Sequence, residues 1–223
     1  MNREHNTKVN KSTITAHLLH QWSGFMAIIA GILYIVIQLI HPIDHISSVN
    51  TNSWQVVACL TMAMSLFTLI GITAFYIRQA KESGWLGLIG FLMFNLFWFI
   101  SIIFSFIEAF VLPLLTSDAE KFVGGMVGLF GGTVSEVNLG IFPILAPLAG
   151  LLYMLGGLLL GIATLRARVF PRPAAILLAF AAVVTVAAAI IPHPLDRALA
   201  IPMGLALIWI GYVIWSERKQ ASV

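Results

Sequence analysis

Residues 21–41, QWSGFMAIIAGILYIVIQLIH, decide how the rest of the chain is read. No Asp, Glu, Lys or Arg interrupts them, and a helix of this length rises about 30 Å, the thickness of a bilayer's hydrocarbon core. Five further apolar runs follow, at about 54–77, 85–110, 141–165, 173–191 and 198–215, each on the scale of the roughly 20 residues needed to cross a bilayer. Hydrophobic residues make up 60% of the 223 positions and charged residues 9%, with a mean hydropathy of +0.97. Soluble domains carry about 45–50% apolar residues. The sequence therefore predicts an all-α fold, a polytopic membrane bundle of six transmembrane helices.

Orientation follows from the basic residues, which short loops retain on the cytoplasmic side. With the N-terminus inside, Arg3, Lys8, Lys11, Arg78, Lys81, Arg166, Arg168, Arg172, Arg218 and Lys219 are cytoplasmic. Only Lys121 and Arg197 fall outside, while Asp44, Glu108, Asp118, Glu120, Glu136 and Asp196 lie at or near the outer face. The expectation is an N-in/C-in protein of three outward-opening hairpins. Residues 1–19 form a cytoplasmic segment, 20–216 one transmembrane domain and 217–223 a cytoplasmic tail. The first run is too long for a signal-peptide core and lacks a small-x-small cleavage site, so it is expected to stay as an anchor. The net charge of +3 is then a topology signal. No basic stripe with interleaved aromatics points to nucleic acid. The single Cys59 excludes an intrachain disulfide and a C-x-x-C redox motif.

Two details concern the third run and the long connection after it. From Trp85 to Leu115 a helix would measure about 46 Å, which places Glu108 at the outer interface level with His41 and makes Pro113 the expected exit. The stretch 122–132, FVGGMVGLFGG, is too glycine-rich and short for a full span and reads equally as a re-entrant segment or a loop.

Chemistry concentrates in two related segments, His41-Pro42-Ile43-Asp44-His45 after the first run and His193-Pro194-Leu195-Asp196-Arg197 after the fifth. At about 100° per residue, Tyr34, Gln38, His41 and His45 share one face if the first helix continues that far. Ser101, Ser105 and Glu108 form a second stripe, and Thr61, Ser65 and Thr68 a third. Ionisable groups within a span face protein or water. These placements predict an outward-facing polar vestibule, with Gln38, His41, Asp44, Ser105, Glu108, Asp196 and Arg197 as candidate ligand-binding residues. His41, His45 and His193 are candidate metal ligands, since His-x-x-x-His places two imidazoles on one helical face and zinc accepts such a set. Pro42 works against that face, and a His-Pro pair also reads as an ordinary helix stop at headgroup level. Gly24, Ala27 and Gly31, and Gly157-x-x-x-Gly161, are small-residue faces suited to close helix packing.

Missing motifs exclude several activities. There is no Gly-x-Ser-Gly nucleophile, Walker glycine loop or His-Glu-x-x-His zinc motif. His41 and His45 alone resemble the His-x-x-x-His of alkaline ceramidases and progestin-receptor-like hydrolases. The junction Gly161-Ile-Ala-Thr-Leu-Arg166 to Pro171-Arg172 resembles one found in uncharacterised bacterial multi-pass inner-membrane proteins. That resemblance implies a bacterial cytoplasmic-membrane location and assigns no activity. The expected function is a non-catalytic or small-ligand-binding or transport component acting on a small ion, solute or lipid, alone as a homo-oligomer or with a membrane partner. The alternative is a metal-dependent intramembrane hydrolase using His41, His45 and His193.

Overall fold

The computed structural model describes residues 16–129, 134–185 and 195–217, all helix and connecting turns with no strand among them. The first helix, α1 (Ala16–Ile40), stops where Pro42 removes a backbone donor and disfavours helical geometry at His41. A 3-10 turn (Ile46–Ser48) leads to α2 (Asn52–Phe106), whose N-cap Thr51 accepts a hydrogen bond from the Trp54 backbone. A π turn (Ile107–Val111) and α3 (Leu112–Leu115) extend α2, and α4 (Glu120–Gly128) follows. The remaining helices are α5 (Phe142–Ala167), α6 (Arg172–Val184), the short α7 (Leu195–Ala198) and α8 (Ile201–Ser216).

α2 is a hairpin. Gly84 has φ 58° and ψ −159°, a conformation that only glycine adopts without steric cost, and the helix reverses there. A straight helix would hold Ser65 and Ser101 about 54 Å apart, yet their hydroxyls share a hydrogen bond at 2.9 Å. Tyr76 and Phe91 stack at 4.3 Å across the same pair of limbs. The two expected polar stripes on these limbs therefore face each other at Ser65 and Ser101.

Close packing joins the helices through residues without bulk. Antiparallel α1 and α8 meet where a Cβ on Gly211 would lie 2.6 Å from the Gly24 carbonyl oxygen, and one on Gly204 would lie 2.7 Å from that of Gly31. Backbone touches backbone at both places, which no side chain larger than hydrogen permits. Gly156 lets α5 approach the α2 backbone at Phe94, and Gly161 seats α5 against Ala179 of α6. Around these seams the core collects Phe75, Phe94, Trp98, Leu160, Leu178, Met203 and Leu207. A second cluster at one end includes Trp54, Phe104, Leu112, Val123 and Met126. The outward faces are apolar too: in α8, Leu205, Trp209 and Tyr212 are exposed while Met203, Ala206, Leu207 and Ile210 are buried.

Charge separates the two ends. Arg78 bonds Glu217 at 3.1 Å and His20 lies 3.8 Å from the same carboxylate, near Gln79, which donates to Thr164 at 2.8 Å. The junction carrying Arg166, Arg168 and Arg172 belongs to this end. Asp44, Glu108 and Glu136 are at the other.

Some expectations change. Pro113 does not end the third helix; the π turn absorbs it and the chain remains helical to Leu115. Part of the glycine-rich stretch is helical, with Val123, Gly125, Met126 and Val127 buried, while residues 130–133 lie outside the described ones. The fifth apolar run is described as α6 only to Val184, with Thr185 as its C-cap, and the segment 186–194 is likewise outside.

The α1–α8 seam yields a contrast. Gly211→Val should lower stability by about 1–3 kcal/mol through overpacking. Gly150→Ala, where nothing lies within 4 Å of the added methyl group, should be neutral or gain about 0.5 kcal/mol. Thermal unfolding in detergent measures both; equal effects at the two sites would contradict the seam.

Candidate functional site

The end that bears the acids is built around a carbonyl group with no helical donor. In an α-helix the Glu108 carbonyl would accept from Leu112 N–H, but in the π turn that N–H bonds Ile107 instead. The next residue is Pro113, which has no N–H. The indole Nε1–H of Trp54 fills the gap, donating to the Glu108 carbonyl at 3.1 Å. Trp54 is 5% exposed, so an unpaired carbonyl beside it would stay unsatisfied at a cost of about 1–3 kcal/mol. Past this turn, at the C-cap of α3, Asn50 Nδ2 donates to Thr116 Oγ1 at 3.0 Å.

Trp54 in turn packs edge-on against the His41 ring, with centroids 6.3 Å apart. His41 Nδ1 lies 2.8 Å from the Pro42 carbonyl oxygen, which can only accept, so this nitrogen carries the proton in that contact. It is also 3.7 Å from Asp44 Oδ1, while Arg197 Nη2 stands 3.7 Å from Asp44 Oδ2. Arg197 is mostly buried, and its Nε has no hydrogen-bond partner among the described residues. Glu108 is half-buried and its carboxylate interacts electrostatically with that of Asp44. The cluster thus joins His41, Asp44, Trp54, Glu108 and Arg197 from four separate segments. Its ionisable groups are two carboxyls, one guanidinium and one imidazole. Asp44 is half-exposed, so its pairing with Arg197 contributes no more than about 1 kcal/mol.

The other expected residues fare differently. Gln38 is half-buried and Ser105 buried one turn below the cluster, and neither side chain hydrogen-bonds to it. His45 is not on a helical face with His41, because α1 ends at Ile40; it caps the 3-10 turn and bonds the Ser47 hydroxyl at 2.9 Å. His193 and the side chain of Asp196 lie outside the described residues. Among the described residues, no three His, Cys, Asp or Glu side chains converge to hold a metal ion.

Sequence reasoning missed two partners. Trp54 gave no signal as a ligand of backbone, although a tryptophan two residues inside a capped helix start and a Glu five residues before a proline were both visible. Tyr153 was also unread: its hydroxyl shares hydrogen bonds with Tyr34 and with Thr185, each at 3.3 Å, a buried polar chain through the middle of the bundle. Beside the cluster a concavity of about 400 Å³ opens between the 3-10 turn, α4 and residues 134–136, lined by Ile46, Lys121, Gly125, Ser135 and Glu136. Lys121 and Glu136 pair there at 3.1 Å.

Leu18–Ile40, Asn52–Leu115 and Phe142–Ala167 are long and apolar enough to cross a bilayer, and the second of these is folded on itself at Gly84. The fold defines an all-helical membrane protein. No protein-family model, curated protein or solved structure matches the chain.

A double-mutant cycle tests the central hydrogen bond. Trp54→Phe should destabilise the protein by about 1–3 kcal/mol. In a Pro113→Ala background, where residue 113 regains an N–H for the Glu108 carbonyl, the same change should cost less, with a coupling of about 1 kcal/mol. Additive effects in thermal unfolding would remove Trp54 from that role.

Proposed function

We propose that the chain is a six-span protein of the bacterial inner membrane, N-in/C-in, which binds a small cation or polar solute at its outer end as a non-catalytic binding or transport component. The six spans are α1, the two limbs of α2 with its extension, α5, the run beginning at α6, and α8. The reading of orientation rests on the separation of charge: Arg78, Lys81, Arg166, Arg168 and Arg172 share one end, and Asp44, Glu108, Asp118, Glu120 and Glu136 lie at the other. Retention of basic residues inside then puts the cluster outside.

One observation carries the ligand assignment: His41 and Asp44 from one loop, Glu108 from the π turn and Arg197 from α7 converge from three segments at a membrane interface. Two carboxylates within electrostatic range favour a positively charged guest, because binding it relieves their repulsion. Arg197 Nε–H, which has no hydrogen-bond partner among the described residues, is a donor for an acceptor on the same guest. His41 and Trp54 supply a rigid aromatic wall. The hydrolase alternative has less support, since His45 is engaged in its own turn and no described metal cluster accompanies it.

Trp54 reports on binding, as its indole touches both His41 and Glu108. Titration with sodium, potassium, magnesium or a small diamine should give a saturable fluorescence change in at least one case. That change should disappear in Trp54→Phe and weaken by on the order of tenfold in Glu108→Gln, where one charge is lost. The absence of any saturable response defeats the binding reading. Orientation is tested separately with Asp118→Cys and Lys81→Cys in a Cys59→Ser background: an impermeant maleimide on intact cells should reach residue 118 and not residue 81.

A further inference from the structure

The basic residues of the chain are not equivalent. Arg78 pairs with Glu217, Lys121 with Glu136 and Arg197 with Asp44. Arg166, Arg168 and Arg172 are exposed and have no acidic partner among the described residues. All three stand on the short junction from α5 to α6, which the fold holds rigidly. Arg168 takes a left-handed conformation, φ 57°, at the end of α5. Phe170 is buried against Phe75 at 4.6 Å, and Pro171 and Pro173 restrict the start of α6. Three exposed arginines thus fall on one short junction with little backbone freedom left to lose on binding.

Directly beside this junction, a furrow of about 350 Å³ runs between α5 and α6. Leu165 and Ala175 form its basic end, Leu158 its far end, and Ile162, Ala179 and Phe180 its walls and floor. It is almost wholly apolar and extends for about 10 Å along α5. Its depth comes from Gly161, where the two helices touch, while Ile176 and Phe180, one turn apart on α6, stand out along one side, each 55% exposed. An apolar trough that ends in unpaired arginines matches one type of molecule: an acyl chain attached to an anionic phosphate. Arginine forks bind phosphate in bidentate fashion, and basic sites at helix ends select anionic headgroups.

We propose that the α5–α6 furrow is a binding site for an anionic phospholipid, with one acyl chain along Leu158, Ile162 and Ala179 and the phosphate on Arg166, Arg168 and Arg172. A zwitterionic lipid would fill the trough equally well and gain less from the arginines. The site is independent of the outer cluster, so either can fail without the other.

Native mass spectrometry of the full-length protein in detergent, equilibrated with equal amounts of phosphatidylglycerol and phosphatidylcholine, reads the preference. The wild type should retain phosphatidylglycerol over phosphatidylcholine by at least about fivefold, the contribution of one basic residue. Neutralising all three arginines can disturb membrane insertion, so single changes carry the test. Arg168→Gln should reduce phosphatidylglycerol retention about fivefold and leave phosphatidylcholine unchanged. Ile162→Trp, which obstructs the trough and keeps every charge, should reduce retention of both lipids. Equal retention of the two lipids by the wild type overturns the proposal, as does wild-type phosphatidylglycerol retention in either variant.

Discussion

The contact on which the arrangement depends is the glycine seam between the first and last helices. Gly24 meets Gly211 and Gly31 meets Gly204, so the backbones of α1 and α8 touch at two points a heptad apart. Within a membrane, lipid competes equally for apolar side chains, and close backbone approach supplies the dispersion contacts that favour association. This seam closes the bundle, because it joins the two ends of the chain. It also determines which loops become neighbours. The segment leaving α1 is brought to the segment entering α8, so Asp44 reaches Arg197; at the opposite end, His20 and Arg78 reach Glu217.

The second constraint is local and arises from one proline. Pro113 deprives the Glu108 carbonyl of a helical donor, the π turn accommodates the ring, and Trp54 satisfies the exposed acceptor. Single π turns of this kind occur inside α-helices. Here the turn attaches the start of α2 to the end of its own second limb and holds Glu108 near Asp44. The polar chain Tyr34–Tyr153–Thr185 plays a comparable role deeper in the bundle, linking α1, α5 and the end of α6 by hydrogen bonds in a setting where unpaired hydroxyls are costly.

Much of the candidate cluster was legible in the sequence. His41, Asp44, Glu108 and Arg197 stood out because charged and ionisable groups are rare in so apolar a chain, and their positions along the runs put them at one level. The expected pairing of His41 with His45 was not realised, because it assumed a helix through Pro42, whose ring and missing N–H stop it at Ile40. Pro113, of the same residue type, did not stop its helix. The difference lies in what surrounds each proline: Trp54 can reach the carbonyl left open near Pro113, and that partner is distant in sequence.

By itself the sequence determined the solvent of this protein and the level of its polar groups, since both follow from apolar run length and the spacing of residues along each run. The tertiary structure alone decided which polar groups share a site. Helices apolar on every face give no periodic signal for a preferred neighbour, so partner choice passes to shape: Gly24 and Gly31 were visible as a small face, but their match to Gly204 and Gly211 appears only once the helices are antiparallel and in contact. The meeting of Asp44 with Arg197, 153 positions away in the chain, is a consequence of that fit.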